Sequence, residues 1–206
     1  MELKTSEIIQ EATQLFQRYG IKSISMEELA RQMGISKKTL YQHFTDKTEL
    51  VDKAVAQMVE KNTCNFKNLY NEGLNALEEM FRVYNIANEM IKEHNPGFEF
   101  DLKRFYPSIY KKVRDLHRSS MYQSTLSNLE KGKSDGFYRM NFDSQVIAKL
   151  HVLRIENLMH TDIIPSEEIH SDHFFKEVFK YHLYGVISKK GHEYINQHYP
   201  EFTSNE

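Results

Sequence analysis

Apolar positions along the first sixty residues recur with helical spacing. Ile8, Ala12, Leu15, Phe16 and Tyr19 fall on one face of an opening helix that ends at Gly20. Ser25-Met26-Glu27-Glu28 reads as a capping box, in which the Ser25 hydroxyl accepts from the Glu28 amide and the Glu28 carboxylate returns to the Ser25 amide. Ile24 and Leu29 flank it as a hydrophobic staple. The second helix, 26–33, stops at Gly34, where a helix C-terminus favours a left-handed residue, and Ser36 caps a third, 37–44, that buries Leu40 and Phe44. Leu50, Val51, Ala54, Val55, Met58 and Val59 carry a fourth helix over 46–61.

Helical period continues over 74–92, 98–106, 108–131 and 143–160, with Asp143 as a cap, and over a last long helix from about Glu167 or Asp172 to Lys189. Asn95-Pro96-Gly97 and 131–136 read as turns, Pro107 ends one helix and opens the next, and the polar tail after Gly191 reads as frayed. No segment reads as a strand. The fold class is therefore all-α, with an N-terminal three-helix domain over 1–50, the fourth helix (46–61) as connector, and a larger helical domain over 62–206.

Composition adds exclusions. The 206 residues are 40% hydrophobic and 27% charged, with net charge −2, an ordinary globular balance without a global field for a polyanion. Residues 1–61 hold nine basic and nine acidic side chains, so any nucleic-acid site must be local. Cys64 is the single cysteine, no apolar run is long enough to span a bilayer, and residues 1–20 offer no secretory apolar stretch. These features predict a cytoplasmic protein with no membrane partner.

Helix, tight glycine turn, helix is the arrangement that sets a recognition helix in the major groove of DNA, and the third helix opens on Ser36-Lys37-Lys38-Thr39. Two lysines beside hydroxyls at a helix N-terminus suit phosphates or base edges; Tyr41, Gln42 and His43 follow, and Lys47 reaches toward a further phosphate. The ordered run from Ile8 to Leu50, including Met26-Glu27-Glu28-Leu29-Ala30 and Gly34-Ile35-Ser36-Lys37-Lys38-Thr39-Leu40-Tyr41-Gln42-His43-Phe44-Thr45-Asp46-Lys47, resembles the DNA-binding domain of the TetR-type transcriptional regulators. The resemblance covers about the first quarter of the chain. It implies a homodimeric repressor that leaves a palindromic, double-stranded operator when a small molecule binds the C-terminal domain. Ser36, Thr39, Tyr41, His43 and Lys47 match positions that touch DNA in that family, chiefly its phosphates, whereas Lys37 and Gln42 match variable positions that read bases. Ser25 is placed in the same interface. Lys38 departs from the small residue or proline frequent at its position and puts a charged phosphate contact there.

Of 25 Phe and Tyr, 21 follow Asn62. The resemblance puts an effector cavity among the helices 74–92, 98–106 and 108–131, with a wall from 143–160, and Met80, Tyr84, Phe105, Met121, Tyr122, Leu126, His151 and Arg154 are its candidate lining. The last two long helices are apolar beyond one stripe, which predicts a dimer interface through Val146, Leu150, Leu153, Phe175, Phe179, Gly185 and Val186. The basic stretch 103–118 reads as a solvated face. His170 and His173 stand at metal-ligand spacing without a third ligand, so no metal site and no cofactor are expected. Nucleophile elbow, phosphate loop and H-E-x-x-H run are all absent, so the chain reads as a non-enzyme. The rival reading is a small cytosolic helical enzyme or metal-binding protein built on the C-terminal domain.

Overall fold

The computed structural model describes residues 4–70, 73–92, 95–158 and 163–203, apart from the side chains of 62, 64, 65, 67–70 and 166. Its helices are α1 (Thr5–Tyr19), α2 (Met26–Gln32), α3 (Lys37–His43), α4 (Lys47–Tyr70), α5 (Ala76–Lys92), α6 (Pro96–Phe105), α7 (Pro107–Ser134), α8 (Ser144–Leu158), the single turn α9 (Ser166–Ile169), α10 (Asp172–Val186) and α11 (Lys189–His198), before a 3₁₀ turn at Pro200–Phe202. Among the described residues, extended pairing is confined to one antiparallel bridge, Tyr138 with Ile187. Cys64 and the expected end of a helix at 160 lie outside the described side chains and residues, respectively.

Two compact units share the chain: Met1–Phe66 with His94–His117, and Lys67–Glu93 with Arg118–Glu206. This grouping differs from the sequence division at 50 and 62, because α6 and the first turns of α7 pack with the helix-turn-helix. Leu102 and Ile109 enter the same core as Ile8, Phe16, Leu29, Leu40, Phe44 and Leu50. Asn95, read from sequence as part of a turn, instead caps α6 by accepting from Gly97 N–H (2.9 Å), with Pro96 in the first helical turn. Its amide also donates to the Gln17 carbonyl at 2.6 Å, satisfying a carbonyl near the end of α1.

The second unit packs around Leu77, Met80, Phe81, Leu129, Tyr138, Ala148, Leu183, Val186, Ile195 and Phe202. Asp143 caps α8 as expected, accepting from Gln145 N–H at 2.8 Å. The tail corrects the sequence expectation: it forms α11, with Ile195 fully buried and Tyr199 stacked on Phe81 at 3.8 Å between ring centroids. Ser188 caps this helix through Gly191 N–H (3.1 Å). Gly191 serves close approach and does not end a helix, since a Cβ there would lie 2.3 Å from the Phe137 carbonyl oxygen. The last long helix of the sequence reading is also divided, because Ser171 starts α10 afresh by accepting from Phe174 N–H at 3.1 Å.

Candidate nucleic-acid interface

Ser25 caps α2, its Oγ accepting from Glu28 N–H at 3.0 Å, with Ile24 and Leu29 buried beside it. The return half of the expected capping box is replaced. Glu28 turns forward to Arg31 Nη2 (2.6 Å) and Gln32 Nε2 (2.8 Å), and its hydrogen bond from Arg31 holds the carboxyl below its usual range. A cation one turn onward outcompetes a neutral amide for the carboxylate. Gly34 then takes φ +65°, its N–H donating to the Arg31 carbonyl at 3.2 Å while Ile35 N–H reaches the Ala30 carbonyl at 3.0 Å. That pair of bonds closes α2 and redirects the chain. Ser36 Oγ accepts from Thr39 N–H (2.9 Å) and lies 2.7 Å from Thr39 Oγ1, a cap worth about 1 kcal/mol that fixes where α3 begins.

Leu40 anchors α3 inward with no exposed surface, so Lys37, Lys38, Tyr41 and Gln42 are left outward on one exposed face. Lys37 Nζ sits 3.6 Å from Glu27 across the turn, an exposed pair that contributes little and releases readily to a stronger anion. His43 is used differently: its Nδ1 lies 2.9 Å from Thr5 Oγ1, tying the end of α3 to the start of α1. Lys47, expected at a phosphate, has an intramolecular partner in the chain without DNA. Its ammonium donates to the Ile21 carbonyl at 2.6 Å, half-buried, and burial lowers its pKa while the Asp101 charge works in the opposite direction. The site thus resolves into an outward set (Lys37, Lys38, Tyr41, Gln42), a capping set (Ser25, Ser36, Thr39) and an anchoring pair (His43, Lys47).

Sequence reasoning missed Asp101, whose Oδ2 accepts from Lys22 N–H at 2.7 Å and so pins the α1–α2 connection to α6. The partners are 79 residues apart, a separation that leaves no local signal. It also missed Thr5, the partner of His43.

The predicted effector residues divide between the two units. Phe105 belongs to the first, partly exposed, with the Lys22 ammonium 4.6 Å from its ring centroid. Met80 and Tyr84 are built into the aromatic core of the second, where Tyr84 packs on Phe175 and Phe179 at 5.2 and 4.4 Å. Tyr122 and Leu126 pack against that core, and Met121 is half-buried on α7. His151 and Arg154 sit on α8, with Arg154 Nη2 3.2 Å from His151 Nδ1. A groove of about 470 Å³ in this unit is lined by Gly73, Leu74, Asn75, Lys131, Asp135, Phe137 and Lys190, and none of the eight predicted residues.

The predicted dimer set divides as well. Val146, Leu150 and Leu153 make an exposed stripe on α8, and Gly185 faces open space on α10. Phe175, Phe179 and Val186 belong inside the unit: Phe179 packs edge-on to Phe81 at 5.2 Å and Phe202 at 5.5 Å, and Val186 is buried. Tyr181 and Tyr184, absent from the sequence expectation, are the exposed aromatics of α10.

Burial, reinforced by the Arg154 charge, lowers the His151 pKa to about 4, and burial with neighbouring His151 lowers His182 well below its ordinary value. A base whose folded pKa lies below its unfolded 6.5 takes up protons preferentially on unfolding, so stability falls as pH drops from 6.5 toward 4. His151 alone accounts for about 3 kcal/mol lost by pH 4. Urea midpoints at pH 7, 5.5 and 4.5 should fall in that order, and an unchanged midpoint would mean that the two rings are hydrated.

Residues 8–54 match the family model described as bacterial regulatory proteins, tetR family. An HTH-type transcriptional regulator of Staphylococcus aureus (strain USA300) is 28% identical over 118 residues, which cover 52% of this chain and 64% of that relative, less than two thirds of its length. In fold, the chain is similar to a TetR-family transcriptional regulator from Agrobacterium tumefaciens, with TM-score 0.67, 18% identity, and coverage of 89% of this chain and 97% of the other. It is also similar to a gamma-butyrolactone receptor (ArpA-like protein), with TM-score 0.60, 16% identity, and coverage of 97% and 95%.

Proposed function

We propose that this chain, a TetR-type regulator by its residues 8–54 and its helical fold, is a homodimeric repressor that binds a palindromic operator through α3 and leaves it when a small molecule occupies the second unit. The observation that carries the DNA-binding part is the exposed face of Lys37, Lys38, Tyr41 and Gln42 on a helix whose start is fixed by the Ser36 cap. Lys38 takes a phosphate; Lys37 and Gln42 reach base edges; Ser36, Thr39 and Tyr41 complete the backbone contacts. Ser25 and His43 hold the two helices in place for them, and Lys47 sets the height of the α1–α2 turn through Ile21.

The dimer is supported by the apolar stripe of Val146, Leu150 and Leu153 beside Tyr181, all four close to half exposed or more in the single chain. An isologous contact through α8 and α10 buries that stripe, and Gly185 lets the two backbones approach. Two recognition helices then address major grooves about 34 Å apart. The effector part is supported by the second unit's aromatic interior, and the similar fold described as a gamma-butyrolactone receptor favours the same reading.

Duplexes selected from a randomised pool test the DNA arm. Lys38→Ala should weaken all selected sequences alike and reduce the slope of log affinity against log salt by about 0.9 for each phosphate left without its cation, whereas Gln42→Ala should change which base is preferred at one position in each half-site. Failure of the wild-type protein to enrich or retain any duplex at low salt would overturn the proposal.

A further inference from the structure

We propose that the second unit binds the carboxylate of a small organic acid at Arg154, with His151 and His182 as its neighbours. The inference rests on the reading of this unit as an effector domain and names the chemical class of its ligand. Arg154 Nε is buried with no acceptor, and the guanidinium's one hydrogen-bond partner among the described residues is His151 Nδ1 at 3.2 Å. The acid near the end of α8, Glu156, is paired with Arg118. A partly buried guanidinium without a carboxylate is costly, because its solvation is lost and no opposite charge replaces it. The Tyr181 ring, with its centroid 5.8 Å from Arg154 Cζ, offsets only part of that cost.

The groups around this cation fix what fits it. His151 Nδ1 accepts from Arg154, so its proton resides on Nε2, and the imidazole presents a donor. The His182 ring lies beside it with centroids 4.5 Å apart, and both rings stay neutral at pH 7. Arg154 Nε–H and the guanidinium's remaining N–H groups are all donors, and the complement of a cluster of donors is a group that only accepts and carries one negative charge. The planar guanidinium matches the two oxygens of a carboxylate. The burial of Nε favours a small ligand over a partner chain. Arg154 stands one turn from Leu150 with its guanidinium over the exposed Tyr181 ring, at the edge of the stripe, yet its Nε is closed off from the surface. His151 lies against the ring from α10, the helix that buries Leu183 and Val186. The Tyr181 ring over the guanidinium and the exposed Leu150 one turn away suit an apolar body on the acid.

Calorimetric titration of the full-length protein with hexanoate, decanoate and benzoate, each beside its alcohol counterpart (hexanol, decanol, benzyl alcohol), tests this. At least one acid should bind and its alcohol should bind at least about tenfold more weakly, and Arg154→Gln should cost the acid about 10–100-fold while leaving the alcohol unchanged. Arg154→Lys, which keeps the charge but not the planar fork, should recover part of the loss; it also serves where the Gln variant fails to fold. No heat with any acid, or equal affinity for acid and alcohol, overturns the proposal. So does a wild-type dimer that binds no acid but falls to monomer as Arg154→Gln, since the guanidinium then belongs to the subunit contact. An acid that binds at Arg154 without releasing DNA leaves the carboxylate site standing and counts against the effector-controlled repressor.

Discussion

Gly132→Ala should lower the stability of the second unit by about 4 kcal/mol, and its thermal midpoint by about 10 °C for a chain of this length. Helix propensity alone predicts the opposite sign, a gain of about 1 kcal/mol inside α7. Packing decides the matter: a Cβ at Gly132 would lie 2.0 Å from Tyr138 Cδ2 and 2.2 Å from Cε2. The ring is not free to retreat. Tyr138 is 1% exposed, its hydroxyl lies 2.9 Å from Asn128 Oδ1 and 3.1 Å from the Ala76 carbonyl, and its own N–H donates to the Gly132 carbonyl at 2.9 Å. Asn128 in turn donates to buried Glu79 at 3.0 Å, so moving the ring unsettles a buried polar network as well. Differential scanning calorimetry of Gly132→Ala, Tyr138→Leu and the double variant measures this. The double variant should be more stable than the sum of the two single effects implies, by at least about 1 kcal/mol. A neutral or stabilising Gly132→Ala would show that ring and helix do not touch.

Leu150→Glu combined with Leu153→Glu should yield a folded monomer whose affinity for selected duplexes is at least about a thousandfold lower, the gap between specific two-site binding and the non-specific association of one domain. Both leucines are more than half exposed in the single chain, so their replacement leaves the unit's own core intact. A two-fold contact would place their four carboxylates close together and desolvated. Phe179→Ala is the contrasting variant: its ring packs on Phe81, Tyr84 and Phe202, so it should lower the unfolding midpoint whatever the oligomeric state. Light scattering, circular dichroism and gel shifts on the same samples separate the two. A double-Glu variant that remains dimeric would move the interface off this face.

These contrasts also show which parts of the fold were legible in the amino-acid sequence. The α2–α3 corner was readable residue by residue, because Ser25, Gly34 and Ser36 act on amides within five residues of themselves and the physics is local. The outward face of α3 followed from the inward one, through Leu40. The Ile21 partner of Lys47 was not legible because a lysine near an exposed helix start looks solvated until the chain folds Ile21 over it. The contacts of Phe175, Phe179 and Val186 within their own unit were missed for a related reason. With the tail taken as frayed, the apolar excess of α10 had no partner within the chain and was assigned to a second copy, whereas Phe202 packs on Phe179 from that tail and Tyr199 stacks on Phe81. Gly132 and Gly191 gave no signal either, since what requires them is a ring and a carbonyl brought in by tertiary packing.

Asp101 and Asn95 close the first unit from a point in the chain well beyond α4. During synthesis, the recognition helix therefore exists some time before the unit that holds it is complete. At about 5–20 residues per second, the chain between Phe66 and His117 takes a few seconds to follow. Throughout that interval the core of Ile8, Phe16 and Leu50 lacks Leu102 and Ile109, and the end of α1 lacks the Asn95 amide. The segment 8–54 is thus a contiguous stretch of sequence but not a closed folding unit, and its core is completed only after residues 67–93, the first stretch of the second unit, have been made.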